Sequence, residues 1–303
     1  MKTETTVKFY TWKDYRLAYE VHDRTSEDLG ALLLIHPIGV GLSRCFWHRF
    51  IAAYQNLDRS IPVYNPDLLG CGETDLPRLA YYPSDWAEQL QYFIETVIKK
   101  PVIIVTQGAL APVAFKLVKN CSESSLIKGL IFAGPPSWQL ITKKANKFQQ
   151  KLLWNLLFDS PLGLPFYRYA RRRKFIESFS VKQLFGDAEA VDANWLDTLE
   201  KGAADPQTRY AVFSFLAGFW LEDYSEYISN ISQPTLVVFG EEASSISKTG
   251  ATETPEKRLE LYLKHLPNGR GKIITGRNVL PYESTAEFVK VVAEFVNEIV
   301  PQK

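Results

Sequence analysis

The sequence predicts an α/β fold with a mostly parallel β-sheet flanked by helices. Short runs of aliphatic and β-branched residues alternate with longer segments of helical apolar spacing, first over residues 31–133 and again from residue 234 onward. The stretch 102–117 begins as a β-branched run, breaks at Thr106-Gln107-Gly108 and continues as an apolar helical pattern, which is typical of a strand, a sharp turn and a helix in succession. Strands and helices that alternate in this way favour βαβ units and therefore a parallel sheet.

The composition is that of an ordinary globular protein. The chain has 303 residues, of which 46% are hydrophobic and 23% are charged, enough for one large domain with an insertion. Its net charge of +1 gives no overall attraction to nucleic acid. The three cysteines have no C-x-x-C spacing, so we expect neither a disulfide framework nor a zinc site. No cofactor is expected either.

The elements are predicted in chain order from their apolar patterns. Two aromatic, β-branched segments, 6–12 and 15–21, are separated by Lys13-Asp14 as in a hairpin at a sheet edge. Residues 31–35 form an uninterrupted apolar run, as expected for a strand buried on both faces. Further strands are predicted at 61–64, 128–133, 234–240 and 272–275, and helices at 43–57, 85–99 (with Ser84 as N-cap), 255–266 and 284–300, in addition to the strand, turn and helix of 102–117.

A long helical stretch interrupts this alternation. From residue 137 to residue 231 the pattern is helical and rich in large apolar residues, and no strand is predicted. We interpret 137–231 as a helical cap that is inserted into a core domain made of residues 1–136 and 232–303.

Four short motifs occur in order along the chain. They are LLLIHPIG (32–39), PDLLGCGETD (66–75), VTQGALA (105–111) and PTLVVFGEE (234–242). Together they resemble the α/β-hydrolase superfamily, in particular its lidded epoxide hydrolases, haloalkane dehalogenases and small esterases. The resemblance covers nearly the whole chain apart from the cap. It implies an eight-stranded, mostly parallel sheet with helices on both sides and an inserted cap.

The resemblance also implies a site at which catalysis needs a nucleophile, a base and an acid. Aligned with the family's motifs, Gly108 takes the nucleophile's position, Ala243 the acid's and Val279 the base's, with Asn278 as the nearest polar side chain. Glycine has no atom with which to attack, although it accepts the left-handed backbone of the family's nucleophile elbow. We therefore expect a ligand-binding, accessory or scaffold protein without hydrolase activity, whose partner is a small apolar ligand or a protein.

The family's oxyanion-binding groups have counterparts in this chain. The resemblance assigns the two backbone N–H donors to Ile38 and Ala109, and two donors at a helix N-terminus can bind a carboxylate, carbonyl or phosphate without a reaction. His36 corresponds to a residue that shapes the oxyanion loop and does not serve as the base. Together with Gln107, which precedes the turn, these residues form the predicted ligand-binding site.

An active hydrolase of esters or lipids with an unusual nucleophile is the alternative. Cys71 is the candidate, because it lies in a glycine-bracketed loop near the expected mouth of the pocket. For Thr106 and Ser137 we expect hydroxyls that bond to backbone groups, since neither has an evident base partner.

The predicted cap is basic in its first half and acidic in its second half. Either the two halves pair with each other, or the basic half, around Arg171, Arg172, Arg173 and Lys174, lies on an anionic membrane surface. Nucleic acid is not expected, because the aromatic residues have core-like helical spacing and no recognised binding motif occurs. The sequence shows no secretory signal and no membrane-spanning segment, so we expect a cytoplasmic protein, with peripheral membrane association as a further option.

Overall fold

The computed structural model describes residues 6–23, 30–57, 60–122, 125–247 and 249–300. The strands are β1 Lys8–Trp12, β2 Tyr15–His22, β3 Ala31–Ile35, β4 Val63–Pro66, β5 Val102–Gln107, β6 Ile127–Ala133, β7 Thr235–Gly240 and β8 Gly269–Ile274. They form one sheet in the order β1-β2-β4-β3-β5-β6-β7-β8, in which β2 runs antiparallel to β1 and β4 and all other neighbours are parallel. The predicted fold class, a mostly parallel eight-stranded sheet, is confirmed.

Helices cover both faces of the sheet. The α-helices of the described residues are α1 His48–Tyr54, α2 Pro83–Phe93, α3 Ala111–Asn120, α4 Trp138–Ile141, α5 Lys147–Leu153, α6 Gly163–Ala170, α7 Arg173–Phe179, α8 Ala193–Gly202, α9 Arg209–Leu216, α10 Ser225–Ser229, α11 Pro255–His265, α12 Leu280–Glu283 and α13 Thr285–Ile299. Helices α2 and α3 pack on one face, and α1 and α13 pack on the other. Helices α4 to α10 lie between β6 and β7 in the chain. The division into a core domain and a cap stays a prediction.

The central strands are apolar on both sides because both faces of the sheet are covered. Every residue of β3 and β5 is buried. Leu33 and Ile104 belong to the core under α2 and α3, whereas Leu32 and Ile103 belong to the core under α1 and α13. This alternation follows from the period of two residues along a strand.

The N-terminal hairpin has the predicted turn. Lys13 and Asp14 both have left-handed backbone angles, with φ values of 47° and 67°, and Trp12 pairs with Tyr15 across the turn. A two-residue hairpin turn with positive φ at both positions matches the right-handed twist of the strands that it joins.

The start of α2 differs from the prediction. The assignment of Ser84 as N-cap is wrong, since the helix begins at Pro83 and Tyr82 is the N-cap. The carboxylate of Asp85 accepts a hydrogen bond from the N–H of Tyr82 (2.9 Å). Proline explains the shift, because its fixed φ and missing N–H suit the first position of a helix.

A buried ionic network ties β2 to the segments that follow β3 and β4. The guanidinium of Arg44, which is 2% exposed, donates hydrogen bonds to the carboxylates of Glu20 (3.0 Å), Asp67 and Glu73 (2.8 Å). Asp67 is fully buried and also accepts from the backbone N–H groups of Arg44 (2.8 Å) and Glu73 (2.9 Å). Burial favours a raised pKa for Glu20, but the hydrogen bonds and positive charge around it hold the pKa below its ordinary value.

Candidate functional site

The turn between β5 and α3 is the centre of the candidate site. Gln107 is extended, Gly108 has a left-handed φ of 67°, and one tight helical turn, Gly108–Leu110, leads directly into α3. A Cβ atom built on Gly108 would meet no atom within 4 Å. The predicted strand–turn–helix is therefore present, and the space where a side chain would stand is open.

This open space belongs to a cavity of about 550 Å³ between the carboxyl ends of the strands and the helices that join β6 to β7. Its wall is mostly apolar, as is usual for small-molecule sites. Ile38, Gln107 and Ala109 of the predicted ligand site line the cavity, whereas His36 does not. Two of the predicted triad positions, Gly108 and Val279, also line it.

His36 is held in a structural role. Its Nδ1 lies 2.8 Å from the carbonyl oxygen of Pro37, and its Nε2 lies 3.1 Å from the backbone nitrogen of Leu68. Because the N–H of Leu68 can only donate, Nε2 accepts, and Nδ1 carries the proton that is donated to Pro37. Burial lowers the pKa of His36 and keeps the ring neutral. The ring joins the segments after β3 and β4, and neither nitrogen is free for proton transfer.

The lowered pKa of His36 predicts a pH-dependent stability. The unfolded chain binds a proton at this ring near pH 6.5, whereas the folded chain binds it only at lower pH. The free energy of unfolding should therefore fall as the pH drops through 6.5, at most by about 1.4 kcal/mol per pH unit from this group. Urea denaturation over this pH range measures the effect. His36→Gln, whose amide oxygen can still accept from Leu68, should show a smaller decrease; an equal decrease would contradict the assignment.

Asn278 joins three segments at the wall of the cavity. Its side-chain nitrogen donates to the carbonyl oxygens of Gln183 (2.7 Å) and Ser244 (3.1 Å). Its own carbonyl oxygen accepts from the side chain of Gln107 (2.6 Å). The sequence marks Asn278 only as a polar neighbour of the base position. The hydrogen bonds of Asn278 could not be predicted from the sequence, because its partners include backbone carbonyl groups at distant points of the chain.

The residues predicted at the acid and base positions are buried apolar groups. Ala243 is 5% exposed and Val279 is 3% exposed, and they pack into the cores on opposite faces of the sheet. Neither side chain can accept or donate a proton. Glu242, which precedes Ala243, forms an exposed ion pair with Arg277 (3.2 Å).

Nine buried side-chain polar atoms have no hydrogen-bond partner among the described residues, and three of them belong to the turn or the cavity wall: Oγ1 of Thr106, Oε1 of Gln107 and Oγ of Ser137. The expectation that Thr106 and Ser137 bond to backbone groups is therefore wrong. At Ser137 the N–H groups of Leu140 and Ile141 donate to the carbonyl oxygen of that residue instead of its hydroxyl. Gln107 and Ser137 belong to the cavity wall, but these two oxygen atoms are themselves shielded from the open space.

Two backbone donors also face this region. The N–H of Ile38 forms no hydrogen bond to a described backbone group. Ala109 lies in the first turn of a helical segment, where N–H groups have no acceptor within the helix. Both residues line the cavity, so both N–H groups are candidates for binding an oxygen atom of a ligand.

Cys71 has the surroundings of a structural cysteine. It is 4% exposed, lies in the apolar core and is not part of the cavity wall. Burial, together with the nearby charge of Asp67, raises the pKa of its thiol. Since the thiolate is the reactive form, this environment disfavours a nucleophilic role at neutral pH.

Two of the four basic residues predicted to face a membrane are bonded within the protein. The guanidinium of Arg173 pairs with the carboxylates of Asp197 (2.6 Å) and Glu200. Arg171 donates to the carbonyl oxygens of residues 203–204, at 3.1 and 2.8 Å. These contacts agree with pairing between the basic and acidic halves of the helical stretch.

Across the part of the chain that the structure describes, no group of three or more His, Cys, Asp and Glu side chains could hold a metal ion. In the same residues, no helix has both the length and the apolarity needed to cross a bilayer.

Gly108 and Gly41 together test whether the space at the turn is open. Both have left-handed φ values, 67° and 77°, so alanine at either position costs about 1–2 kcal/mol of backbone strain. A Cβ at Gly41, unlike one at Gly108, would lie only 1.9 Å from the carbonyl oxygen of Leu199. We expect Gly108→Ala to lower the free energy of unfolding by the strain alone and Gly41→Ala to lower it clearly more, as measured by urea denaturation. Equal losses would mean that the space at Gly108 is not open.

Comparison with known proteins relates this geometry to a family. A model of the alpha/beta hydrolase family matches residues 32–291. A serine hydrolase involved in carbazole degradation is similar over 97% of this chain and 99% of that chain, with a TM-score of 0.74 and 19% identity. A thermophilic esterase from Thermogutta terrifontis, bound to malate, is similar over 99% of this chain and 100% of that chain, with a TM-score of 0.71 and 15% identity.

A third similar structure is a bromoperoxidase from Bacillus anthracis, with a TM-score of 0.71 and 17% identity over 96% of this chain and 99% of that chain. A search of curated protein sequences found no match. At these identities the structural likeness establishes the fold and leaves the activity open.

Proposed function

This chain belongs to the alpha/beta hydrolase family, and we propose that it is a member that binds a ligand without hydrolysing it. The observation that carries the proposal is the open turn: Gly108 keeps the left-handed backbone at which the family holds its nucleophile, and no side chain fills the space beyond it. In this proposal Ala243 and Val279 stand at the positions of the acid and the base. A pocket of this kind has a cavity for a ligand but lacks the side chains that carry out hydrolysis.

Hydrolysis by the family mechanism needs a proton to move from the nucleophile to a base. His36 is the histidine beside the cavity-lining segment after β3, and both of its ring nitrogens are already hydrogen-bonded. Ser137 lines the cavity, but its hydroxyl oxygen is buried and has no hydrogen-bond partner, and therefore no base, among the described residues. These contacts support binding as the task of the pocket.

The proposed ligand is a small, mostly apolar molecule with at least one oxygen-containing group. The mostly apolar wall favours the apolar part. The N–H groups of Ile38 and Ala109, two residues of the cavity wall, could donate to a carbonyl or carboxylate. A protein partner for which the fold serves as an accessory or scaffold is the other form of this proposal.

The competing function is an ester or lipid hydrolase with a nucleophile outside the family's position. The likeness in fold to a serine hydrolase and an esterase favours it. Cys71 was the sequence candidate, and its burial and raised pKa weigh against it.

Purified protein is expected to hydrolyse none of a panel of p-nitrophenyl esters with short, medium and long acyl chains. It should also resist covalent labelling by a fluorophosphonate probe, because no hydroxyl in the cavity is paired with a base. Gly108→Ser should be inactive for the same reason, although its side chain has room. Absorbance and intact-protein mass spectrometry measure the two outcomes. Ester turnover that Cys71→Ala abolishes would establish the competing function instead.

The cavity is expected to bind an apolar reporter dye such as anilinonaphthalene sulfonate, which gains fluorescence in apolar surroundings. Gly108→Leu should weaken this binding by about tenfold or more, since the added side chain enters the open space at the turn. Gly108→Ala is the matched control, because it has the same backbone strain and adds only one methyl group. Similar affinities for the two variants would place the dye elsewhere and count against a ligand cavity at the turn.

A further inference from the structure

Helix α5 is unusual because its apolar side chains face solvent. None of its seven residues is buried. Phe148 is 74% exposed, Leu152 is 46% exposed and Leu153 is 39% exposed. An amphipathic helix of a globular protein normally buries its apolar side against the core, so α5 lacks the cover that its sequence indicates.

The exposed side chains form a stripe that runs past the end of α5. Phe148, Leu152 and Leu156 are spaced four residues apart, which brings them to one side of a helix, and Leu156 is 63% exposed. The opposite side of the same segment holds Trp154 and Phe158, which are buried in the core. We call Phe148, Leu152 and Leu156 the α5 stripe.

A second group of exposed aromatic residues lies at the mouth of the cavity. Phe166 is 42% exposed, Phe175 is 36% exposed and Phe179 is 38% exposed, and all three also line the cavity. Leu216 is likewise exposed to solvent (45%) and also lines the cavity. The side chain of Gln150, on the side of α5 opposite to the α5 stripe, donates to the carbonyl oxygen of the cavity-lining Gly218.

The charge around these apolar groups is positive. Exposed basic residues on the same helices and the segment before α5 form no ion pair with any described residue. Of the acidic residues near them in the chain, Asp159 is paired with Arg78 (2.6 Å), whereas Glu177, on α7 with Lys174, is exposed; the basic residues outnumber both. The unpaired basic residues are Lys143, Lys144, Lys147, Lys151, Arg168 and Lys174.

We propose that the α5 stripe, together with the basic residues of α5, docks on the surface of an anionic lipid bilayer. An in-plane helix with an apolar stripe and flanking lysines is suited to the boundary between headgroups and acyl chains. The lysines would lie near the lipid phosphates, and each such residue strengthens binding. A second copy of the chain is a poorer occupant, since a two-fold contact would bring the same basic residues against one another.

The membrane contact would then be made by α5, and not by Arg171 and Arg173, which are bonded within the protein. It does not depend on the proposed ligand binding, because docking is measured with no ligand present.

Co-sedimentation with vesicles tests the proposal. The protein is expected to bind vesicles of phosphatidylcholine and phosphatidylglycerol, and to bind pure phosphatidylcholine much more weakly. Phe148→Ser/Leu152→Ser/Leu156→Ser should weaken binding by about tenfold or more through lost apolar insertion. Lys147→Gln/Lys151→Gln should weaken binding to the anionic vesicles by about 25-fold, and added salt should do the same.

Matched controls separate docking from general effects of substitution. Tyr92→Ser removes an exposed apolar side chain of α2, and Lys290→Gln removes an exposed charge of α13, so both should bind as the unaltered protein does. Circular dichroism checks that each variant is folded. No binding by the unaltered protein, or unchanged binding by the α5 stripe variant, would overturn the proposal. Self-association in ultracentrifugation that this variant abolishes would assign the face to a second copy and overturn it too.

Discussion

The buried guanidinium of Arg44 holds together the chain segments at the carboxyl edge of the sheet, and the arrangement of these segments depends on it. It has almost no contact with solvent and binds three carboxylates from separate parts of the chain. A buried pair that loses one partner leaves an uncompensated charge, at a cost of about 3–5 kcal/mol. The network also restricts its neighbours: a Cβ on Gly72 would lie 2.2 Å from a carboxylate oxygen of Asp67. The segment after β4 is thereby held against the segment after β3, and the latter lines the cavity.

Periodicity made much of the fold predictable. The uninterrupted apolar runs of β3 and β5 identified strands with two buried faces, and Lys13-Asp14 identified a tight turn, because both patterns reflect local geometry. The N-cap of α2 was missed, since a proline at the first helical position moved the start of the helix two residues towards the N-terminus, from Asp85 to Pro83, and the N-cap from Ser84 to Tyr82. Local preferences compete at helix ends, and sequence alone does not decide between them.

The candidate site was predictable to a lesser degree. The turn at Gly108 was found from its motif, and Ile38, Gln107 and Ala109 do line the cavity. The bonding of Asn278 and the unpartnered hydroxyls of Thr106 and Ser137 could not be foreseen. Each depends on which distant backbone groups lie within hydrogen-bonding distance. Such distances are set by tertiary packing and leave no trace in residue spacing.

The glycine at the turn has a consequence for whatever occupies the cavity. In a hydrolase of this fold the nucleophile's side chain separates the bound molecule from the main chain at the elbow. Here no Cβ stands between them, and nothing else has moved into that volume. A bound molecule can thus touch the peptide backbone at Gly108 directly. Molecules selected to fit serine hydrolases would leave a void there, and a better fit would come from a ligand that is larger at this point by about one hydroxymethyl group.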